Sequence, residues 1–296
     1  MANIKKTKPV YKRQQFLVAF INALPNGCTM TDLQKLLFLY SKTSNINFYD
    51  FIPYKFGSYS FQLAEDVDIM EKAGWISRKE NKINYTGHLS SPLFDYTTSD
   101  FKTIDSKRGD QLIKMMYNTF PYYAINSEIL PRILNDSEIN IINETRKQLE
   151  KTEQVLFTIG YEGLSVEVYI NKLINNDIKL LCDVRNNPLS RKFGFSKNNL
   201  KHYLTSIGIE YIHIPELGIV SNKRKNLEGK DDYKTLFKEY ETSLSNKRSY
   251  LDDIFNVLKT KKRIALTCFE HDPCCCHRHI IRDYLVKQYS LKFEDL

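Results

Sequence analysis

Short apolar runs alternate with segments of helical periodicity throughout the second half of the sequence. The apolar runs are VLFTIG, IKLLCDV, IEYIHIP and RIALTCF. The segments that follow them carry apolar residues at the spacing of one helix face. Strands that alternate with helices in this way indicate a parallel sheet covered by helices on both faces. We therefore predict a Rossmann-like α/β domain over residues 153–296.

The first half of the sequence predicts a mainly helical domain. Two segments of helical periodicity, KRQQFLVAFINAL and TDLQKLLFLYSK, precede a third one. The segment WISRKENKINYTG then predicts two short strands joined by a turn. Three helices followed by a β-hairpin is the order of a winged-helix domain, which we predict over residues 1–104. A helical connector over residues 105–152 would join the two domains.

The chain carries a net charge of +8 at pH 7, and the excess is spread over both halves. Such an excess favours polyanionic partners such as nucleic acid, although a solvated basic surface has the same charge. In a winged-helix domain one helix enters the major groove and the hairpin contacts phosphates. Docking of a protein partner is the alternative use of such a domain. The residues predicted to contact nucleic acid are Lys35, Lys55, Arg78, Lys79 and Lys82.

The sequence gives no signal for a membrane or for secretion. No apolar run approaches the ~18 residues that a membrane-spanning helix needs. The basic start, MANIKKTKPVYKR, is not followed by the small-residue cleavage site of a signal peptide. Six cysteines are too few for a disulfide scaffold in a chain of 296 residues. We therefore predict a cytoplasmic protein, and leave its oligomeric state open.

Ionisable and hydrogen-bonding residues follow the predicted strands of the second half. In a parallel sheet, ligands bind beyond the carboxyl ends of the strands, so these residues are predicted to surround one site. The candidate residues, in chain order, are Tyr161, Glu162, Asp183, Arg185, Ser190, Lys197, Glu270, Cys276, His277 and Arg278.

Catalysis is predicted for two pairs among these residues. Cys276 and His277 are adjacent, and a thiolate is a good nucleophile when cationic neighbours or a helix start lower its pKa. Cys276 as a buried wall of the site is the alternative. Glu162 and Glu270 follow separate strands and are candidates for general acid and base. Partnership of these glutamates with nearby arginines in buried ion pairs is equally compatible with the sequence.

Binding of a phosphate-bearing substrate is predicted for the remaining candidates. Arginine can hold a phosphate bidentately, and a helix start preceded by hydroxyl and basic residues is a ready anion site. Asp183 would either orient Arg185 or hold a ribose hydroxyl. The predicted binding residues are Tyr161, Asp183, Arg185, Ser190, Lys197 and Arg278.

We predict no metal and no cofactor. The cysteine-rich segment around Cys268 and Cys276 has enough soft ligands for zinc, together with His277 and His279. However, it lacks a paired C-x-x-C motif, and its ligands lie in one segment. Neither a G-x-G-x-x-G motif nor a P-loop occurs, so a dinucleotide cofactor is not indicated.

Four ordered segments carry a resemblance to a known family. TIGYEG, DVRNNPLSRKFGFSK, IHIPELG and LTCFEHDPCCCHR resemble, in that order, signatures of the family catalogued as domain of unknown function 488. The family pattern that they match uses Cys268, Cys276 and His277, and it implies an α/β fold with a site. In the first half, PYKFGSYSFQLAEDVDIMEKAGWI resembles the core motif of the Panacea domain, found in SocA-like antitoxins. That resemblance implies regulation or partner neutralisation by the first half.

Together these features predict an enzyme that acts on a nucleotide or nucleic acid by hydrolysis or group transfer. The N-terminal domain would bring it to DNA or to a protein partner. Two alternatives stay open at this point. One is a non-enzymatic DNA-binding and ligand-sensing regulator in a toxin–antitoxin or phage-defence setting. The other is a thiol-dependent transferase.

Overall fold

The computed structural model describes residues 9–44, 46–87, 101, 106–224 and 230–296. The chain divides into two compact units, Met1–Lys147 and Gln148–Leu296. This division lies close to the predicted start of the α/β domain at residue 153. The helices of the segment predicted as a connector belong mainly to the first unit.

The N-terminal unit contains the three helices and the hairpin that the sequence predicts. Its elements are α1 (Lys12–Asn22), α2 (Met30–Thr43), β1 (Ile52–Tyr54), β2 (Gly57–Tyr59), α3 (Phe61–Lys72), β3 (Ile76–Lys79), β4 (Lys82–Tyr85), α4 (Gly109–Thr119), α5 (Leu130–Ile133) and α6 (Asp136–Leu149). Strands β3 and β4 form the predicted hairpin, and Cys28 adds an isolated bridge to Ile83 of β4. The small hairpin of β1 and β2 was not predicted.

Short polar side chains cap the N-termini of two of these helices, and a tight turn joins β3 to β4. The Thr29 hydroxyl accepts a hydrogen bond from the backbone N–H of Asp32 at 3.0 Å, which caps α2. Ser60 caps α3 in the same way through the N–H of Leu63. Glu80 and Asn81 both have positive φ, as the two central residues of a type I′ hairpin turn require.

The core of the N-terminal unit contains a buried ionic cluster beside its apolar side chains. Helix α1 is buried from Gln14 to Ile21. The Asp66 carboxylate on α3 is fully buried and accepts hydrogen bonds from Arg13, Gln14 and Tyr49. Because a buried charge is tolerated only when it is paired, this cluster fixes α3 against α1.

The C-terminal unit is the predicted α/β domain. Its elements are β5 (Val155–Gly160), α7 (Val166–Asn175), β6 (Leu180–Asp183), α8 (Lys197–Thr205), β7 (Glu210–His213), α9 (Lys230–Ser243), α10 (Arg248–Lys261), β8 (Arg263–Cys268), α11 (Arg278–Tyr289) and β9 (Phe293–Asp295). The strands form one parallel sheet in the order β7-β6-β8-β5-β9. The four predicted strands are confirmed, and β9 adds an exposed edge.

Both faces of this sheet are covered. Leu156, Leu180 and Ile264 share one apolar cluster with side chains of α9, α10 and α11. Alternate residues of a strand point to opposite faces, so Thr267 points to the other face from Leu266. The Tyr169 hydroxyl of α7 donates to Oγ1 of Thr267 at 2.8 Å, which places α7 on that second face. Among the described residues, no helix is long and apolar enough to cross a membrane.

Candidate functional site

A cleft of about 330 Å³ lies at the carboxyl ends of β5, β6 and β8. This is the edge of the sheet at which a parallel α/β fold binds its ligands. The residues that line the cleft are Tyr161, Arg185, Asn186, Asn187, Leu189, Ser190, Arg191, Ile219, Cys268, Phe269 and His277.

Two glycines allow the loops around the cleft to approach one another. A Cβ atom at Gly160, the last residue of β5, would lie 1.8 Å from the carbonyl oxygen of Glu270. A Cβ atom at Gly218 would lie 2.1 Å from the backbone nitrogen of Asn186. Both distances are far below van der Waals contact. The first glycine of TIGYEG and the glycine of PELG are therefore required by backbone packing next to the cleft.

Cys268, Cys276 and His277 form a buried cluster at the cleft. Their Sγ and ring nitrogen atoms all lie within 4.8 Å of one another. Each sulfur is 3.8 Å from Nδ1 of His277. Cys268 is the last residue of β8, whereas Cys276 and His277 directly precede α11. The rigid ends of a central strand and of a helix therefore hold the three groups together.

The ring of His277 has a defined orientation. Its Nε2 lies 3.0 Å from the carbonyl oxygen of Val184, to which it donates a hydrogen bond. In the neutral imidazole the second nitrogen, Nδ1, then carries the lone pair. Tyr240 packs against the ring at a centroid distance of 5.4 Å. The lone pair of Nδ1 is thereby directed toward the two sulfurs.

The two buried thiols differ in their tendency to ionise. A hydrogen bond from Cys276, with a smaller contribution from the nearby His277, lowers the pKa of Cys268 to about 5. Burial and the neighbouring Cys268 raise the pKa of Cys276. Cys268 also lines the cleft, while Cys276 is completely buried. This burial favours the alternative of Cys276 as a buried wall of the site, and its role as nucleophile stays a prediction.

Arg185 is a wall of the cleft whose charge is already compensated. Its guanidinium forms an ion pair with Asp183, with Nε 2.8 Å from Oδ1. Its Nη1 donates to the Tyr161 hydroxyl and to the Phe195 carbonyl, both at 2.9 Å. Asp183 also accepts a hydrogen bond from Tyr211 at 2.6 Å. Of the two predicted roles of Asp183, the geometry favours orientation of Arg185 over contact with a ribose.

Arg278 does not lie where a phosphate could reach it. The side chain is fully buried, and its Nε donates to Oγ1 of Thr158 at 3.2 Å. The two Nη atoms donate to the carbonyl oxygens of Glu270 and His271. Each guanidinium nitrogen thus donates to an acceptor of the protein, and Arg278 does not line the cleft, as a phosphate clamp there would require. Its role is to fix the loop after β8 against the end of β5.

The two predicted acid–base glutamates lie on two neighbouring loops, Glu162 after β5 and Glu270 after β8. Glu162 is exposed, and its carboxylate accepts a hydrogen bond from the backbone N–H of His271 at 3.0 Å. Glu270 is half-buried on the loop that Arg278 holds. Neither residue belongs to the lining of the cleft. The sequence predicted one site surrounded by Glu162, Arg185, Glu270 and Arg278. Of these four residues, only Arg185 lines the cleft.

The basic loop between β6 and α8 supplies the rim of the cleft. Ser190 and Arg191 line it, and Arg191 is exposed. Within the described part of the chain, no carboxylate lies at ion-pair distance from Arg191. Lys192 donates to the Tyr161 carbonyl at 2.8 Å, and Nζ of Lys197 lies 3.1 Å from Nδ1 of His213. Lys197, a predicted phosphate ligand, thus lies outside the cleft.

The predicted nucleic-acid residues of the N-terminal unit differ in accessibility. Lys35 is buried, and its ammonium donates to the Ser58 carbonyl at 3.1 Å, so it cannot contact a phosphate as predicted. Lys55 pairs with Glu128, and Arg78 pairs with Asp68 and Glu71. All three basic residues of the hairpin, Arg78, Lys79 and Lys82, are exposed, and Lys79 and Lys82 flank its turn.

The sequence-based choice of site residues missed two important members of the cleft. Cys268 was recognised in the family pattern but was not chosen as a site residue, although it ends a central strand. Arg191 was passed over in favour of Arg185 and Arg278. Its position at the carboxyl end of a buried strand is the signal that could have identified Cys268 as a site residue. No sequence signal distinguishes a buried arginine from the exposed one.

The fold and the cleft define a Rossmann-like α/β domain with a buried cysteine–histidine centre. Residues 165–285 match the model of the family described as "Domain of unknown function DUF488". The C-terminal half of the chain is therefore similar to this family over residues 165–285, a segment that contains three of the four motifs and begins just after TIGYEG. No curated protein and no solved structure matches the chain. The Panacea-like assignment of the N-terminal half stays a prediction.

Proposed function

We propose that the C-terminal domain is an enzyme that acts on a nucleotide or a nucleic acid, by hydrolysis or group transfer. One observation carries this proposal. Cys268 and His277, which are buried reactive groups, line the same open cleft as the exposed cation Arg191. A reactive centre and an anion-binding group thereby border one space.

The size and lining of the cleft suit a phosphate-bearing small molecule. Its volume of about 330 Å³ falls within the range of ligand sites in proteins. Among the described residues, the lining includes no carboxylate, and the charge of Arg185 is balanced by Asp183, so the exposed Arg191 is the charge that favours an anion. Ser190 and Asn187 add hydrogen-bonding groups near Arg191. A phosphate at this rim would extend toward Cys268.

An aromatic side chain at the cleft supports a nucleotide in particular. Phe269 lines the cleft and is 43% exposed, although it follows directly on a buried strand. Its ring packs edge-on against Tyr161, at a centroid distance of 5.3 Å, which leaves ring surface open. Exposed aromatic rings are the usual platforms on which bases stack. Phe269 would therefore hold the base while Arg191 holds a phosphate.

The N-terminal unit would recruit this enzyme to DNA or to a protein partner. Lys79 and Lys82 present two cations at one hairpin turn, where a winged-helix domain contacts phosphates. The cysteines are all unpaired, which suits a cytoplasmic location with reduced thiols. A role in phage defence or in a toxin–antitoxin pair belongs to the same proposal. It rests on the resemblance of the N-terminal half alone.

A thiol-dependent transferase is the second candidate. Cys268 has both access to the cleft and an imidazole nitrogen 3.8 Å from its sulfur. A nucleophilic cysteine needs these two features. The two candidates share the cleft and differ in whether Cys268 itself attacks the substrate.

The proposed function is tested by binding and turnover with a panel of nucleotides and short nucleic acids. We expect Arg191→Ala to weaken binding of the best ligand at least ~10-fold, the effect of one lost charge-assisted contact. Arg248→Ala is the matched control, since Arg248 is an exposed arginine on α10 of the same domain. Equal affinities of the two variants, or no ligand in the panel, would refute the proposal.

A further inference from the structure

The cluster of Cys268, Cys276 and His277 has the dimensions of a metal site. In a tetrahedral zinc site with Zn–S near 2.3 Å and Zn–N near 2.0 Å, a sulfur and a nitrogen ligand lie about 3.5 Å apart. Both sulfurs of the cluster lie 3.8 Å from Nδ1 of His277. A cation could therefore contact all three atoms after small side-chain movements.

The hydrogen bond of His277 is the one that a metal-binding histidine makes. Ligating histidines usually donate from their other ring nitrogen to a carbonyl or a carboxylate, which fixes the tautomer. Nε2 of His277 donates in this way to Val184, so Nδ1 offers its lone pair to the space beside the sulfurs. The support for a metal is thus independent of the spacing of the three atoms.

The charges of the cluster suit a divalent cation. Two thiolates neutralise a dication, so the occupied site would bury no net charge. Soft sulfur ligands combined with an imidazole select zinc among the common cations of cells, and oxygen ligands would select magnesium or calcium. The exposed Cys274 and Cys275 lie outside the cluster, and Sγ of Cys275 lies 3.8 Å from a carboxylate oxygen of Asp272.

From these observations we propose that Cys268, Cys276 and His277 bind one Zn²⁺ ion, with a fourth position open to the cleft. Cys268 and His277 line the cleft, whereas Cys276 is completely buried behind them. The unoccupied side of the three ligands therefore faces Arg191 and the substrate space. Three protein ligands and an open position are the arrangement of catalytic zinc sites, while structural sites have four protein ligands.

The binding of zinc stands independently of any substrate, but its catalytic role rests on the proposed function. A cation at this position would hold water or a substrate atom next to the anion that Arg191 binds. It would also change the role of Cys268 from nucleophile to ligand. The metal site therefore favours hydrolysis or metal-assisted group transfer over the thiol-dependent transferase.

The metal site is tested with the full chain. Elemental analysis of the protein, purified without chelator and with excess metal removed, is expected to give one zinc per chain. Replacement by Co²⁺ should give thiolate-to-cobalt charge-transfer absorption together with the d–d bands of a tetrahedral site. Cys268→Ser and Cys276→Ser should each weaken Zn²⁺ binding at least ~10-fold. Cys274→Ser and Cys275→Ser are matched controls from the same segment and should bind as the wild type does.

Thiol counting in the wild-type protein covers the case in which a variant fails to fold. We expect Zn²⁺ to protect two thiols from alkylation, identified by mass spectrometry as Cys268 and Cys276, and a chelator to expose them. Unchanged alkylation with and without Zn²⁺, or a Co²⁺ spectrum without charge transfer, would overturn the proposal. A zinc-loaded protein that binds no nucleotide would leave the metal site intact and refute the proposed function. A protein that binds a nucleotide but takes up no zinc would support the proposed function and refute the metal site.

Discussion

His277 donates a hydrogen bond from Nε2 to the carbonyl oxygen of Val184, across 3.0 Å. Val184 follows β6, whereas His277 directly precedes α11, so this bond joins segments that lie far apart in the sequence. It leaves Nδ1 as the nitrogen that faces Cys268 and Cys276. One backbone carbonyl thus determines which ring atom is available to the candidate site.

Arg278→Lys should destabilise the protein by about 2–4 kcal/mol, because buried carbonyls lose their donors. An ammonium group cannot reach Thr158, Glu270 and His271 at once, as the guanidinium does. Chemical denaturation followed by circular dichroism measures the change. Arg191→Lys, at the exposed rim of the cleft, should stay within about 0.5 kcal/mol of the wild type. A tolerated Arg278→Lys would contradict the structural role of this arginine.

Gly160→Ala should destabilise the C-terminal domain by about 3 kcal/mol or more, since the added Cβ would overlap the Glu270 carbonyl. Gly163→Ala in the same motif is the control. Gly163 has positive φ but open space around it, so only backbone strain of about 1 kcal/mol is expected. Thermal unfolding of the two variants compares these costs. Equal effects would mean that the loop can move away from β5 freely.

Asp183→Asn should cost about 3–5 kcal/mol, because it leaves the buried guanidinium of Arg185 without its counter-charge. Tyr211→Phe removes one hydrogen bond from a neutral hydroxyl to the same carboxylate, leaves the ion pair in place and should cost less, about 1.5–3 kcal/mol. Urea denaturation of the two variants measures the difference. If both substitutions cost the same, the ion pair contributes no more than the hydroxyl does.

Lys35 should make the stability of the protein depend on pH. Burial lowers the pKa of Lys35 from 10.5 to about 7. Between these two values the unfolded state binds a proton that the folded state has lost, so the free energy of unfolding rises with pH. Lys35→Met should remove this rise and stabilise the protein near pH 6 by roughly 2 kcal/mol. Denaturation at pH 6 and at pH 9 tests it. Parallel pH profiles of the two proteins would show that Lys35 is not the cause.

Lys79→Glu and Lys82→Glu should weaken nucleic-acid binding if the hairpin contacts phosphates. Each lost contact is expected to reduce the slope of log affinity against log salt by about 1. Fluorescence anisotropy of a labelled duplex at several salt concentrations measures both effects. Lys151→Glu, at an exposed position in the C-terminal half, is the control. A flat salt response of the wild type would remove the electrostatic basis for DNA binding.

The sheet and the position of the cleft could be predicted because they depend on local patterns. Apolar runs such as VLFTIG identify central parallel strands, and topology brings the ends of these strands together. The strand β9 was missed because Phe293–Asp295 is short, charged and exposed, as edge strands commonly are.

Side-chain direction could not be predicted, and it accounts for the errors at the candidate site. Arg278 and Arg191 have the same chemistry, but one is enclosed by backbone carbonyls and the other lies at the rim. Lys35 occurs in a helix whose apolar residues suggested a separate polar face, yet the small β1–β2 hairpin covers it. Long-range packing determines the direction and burial of these side chains, and the periodicity of the sequence does not predict such packing.

Three consecutive residues at the beginning of α11 each contact a different strand or the residue that directly follows it. Cys276 lies beside Cys268 of β8. His277 donates a hydrogen bond to Val184, the residue after β6, and Arg278 donates one to Thr158 of β5. Any fraying of the first turn of this helix would therefore break contacts with three strands at the same moment. Opening of the helix and loss of the cleft would therefore be one cooperative event. Because such an opening is costly, the amide hydrogens of α11 are expected to exchange slowly.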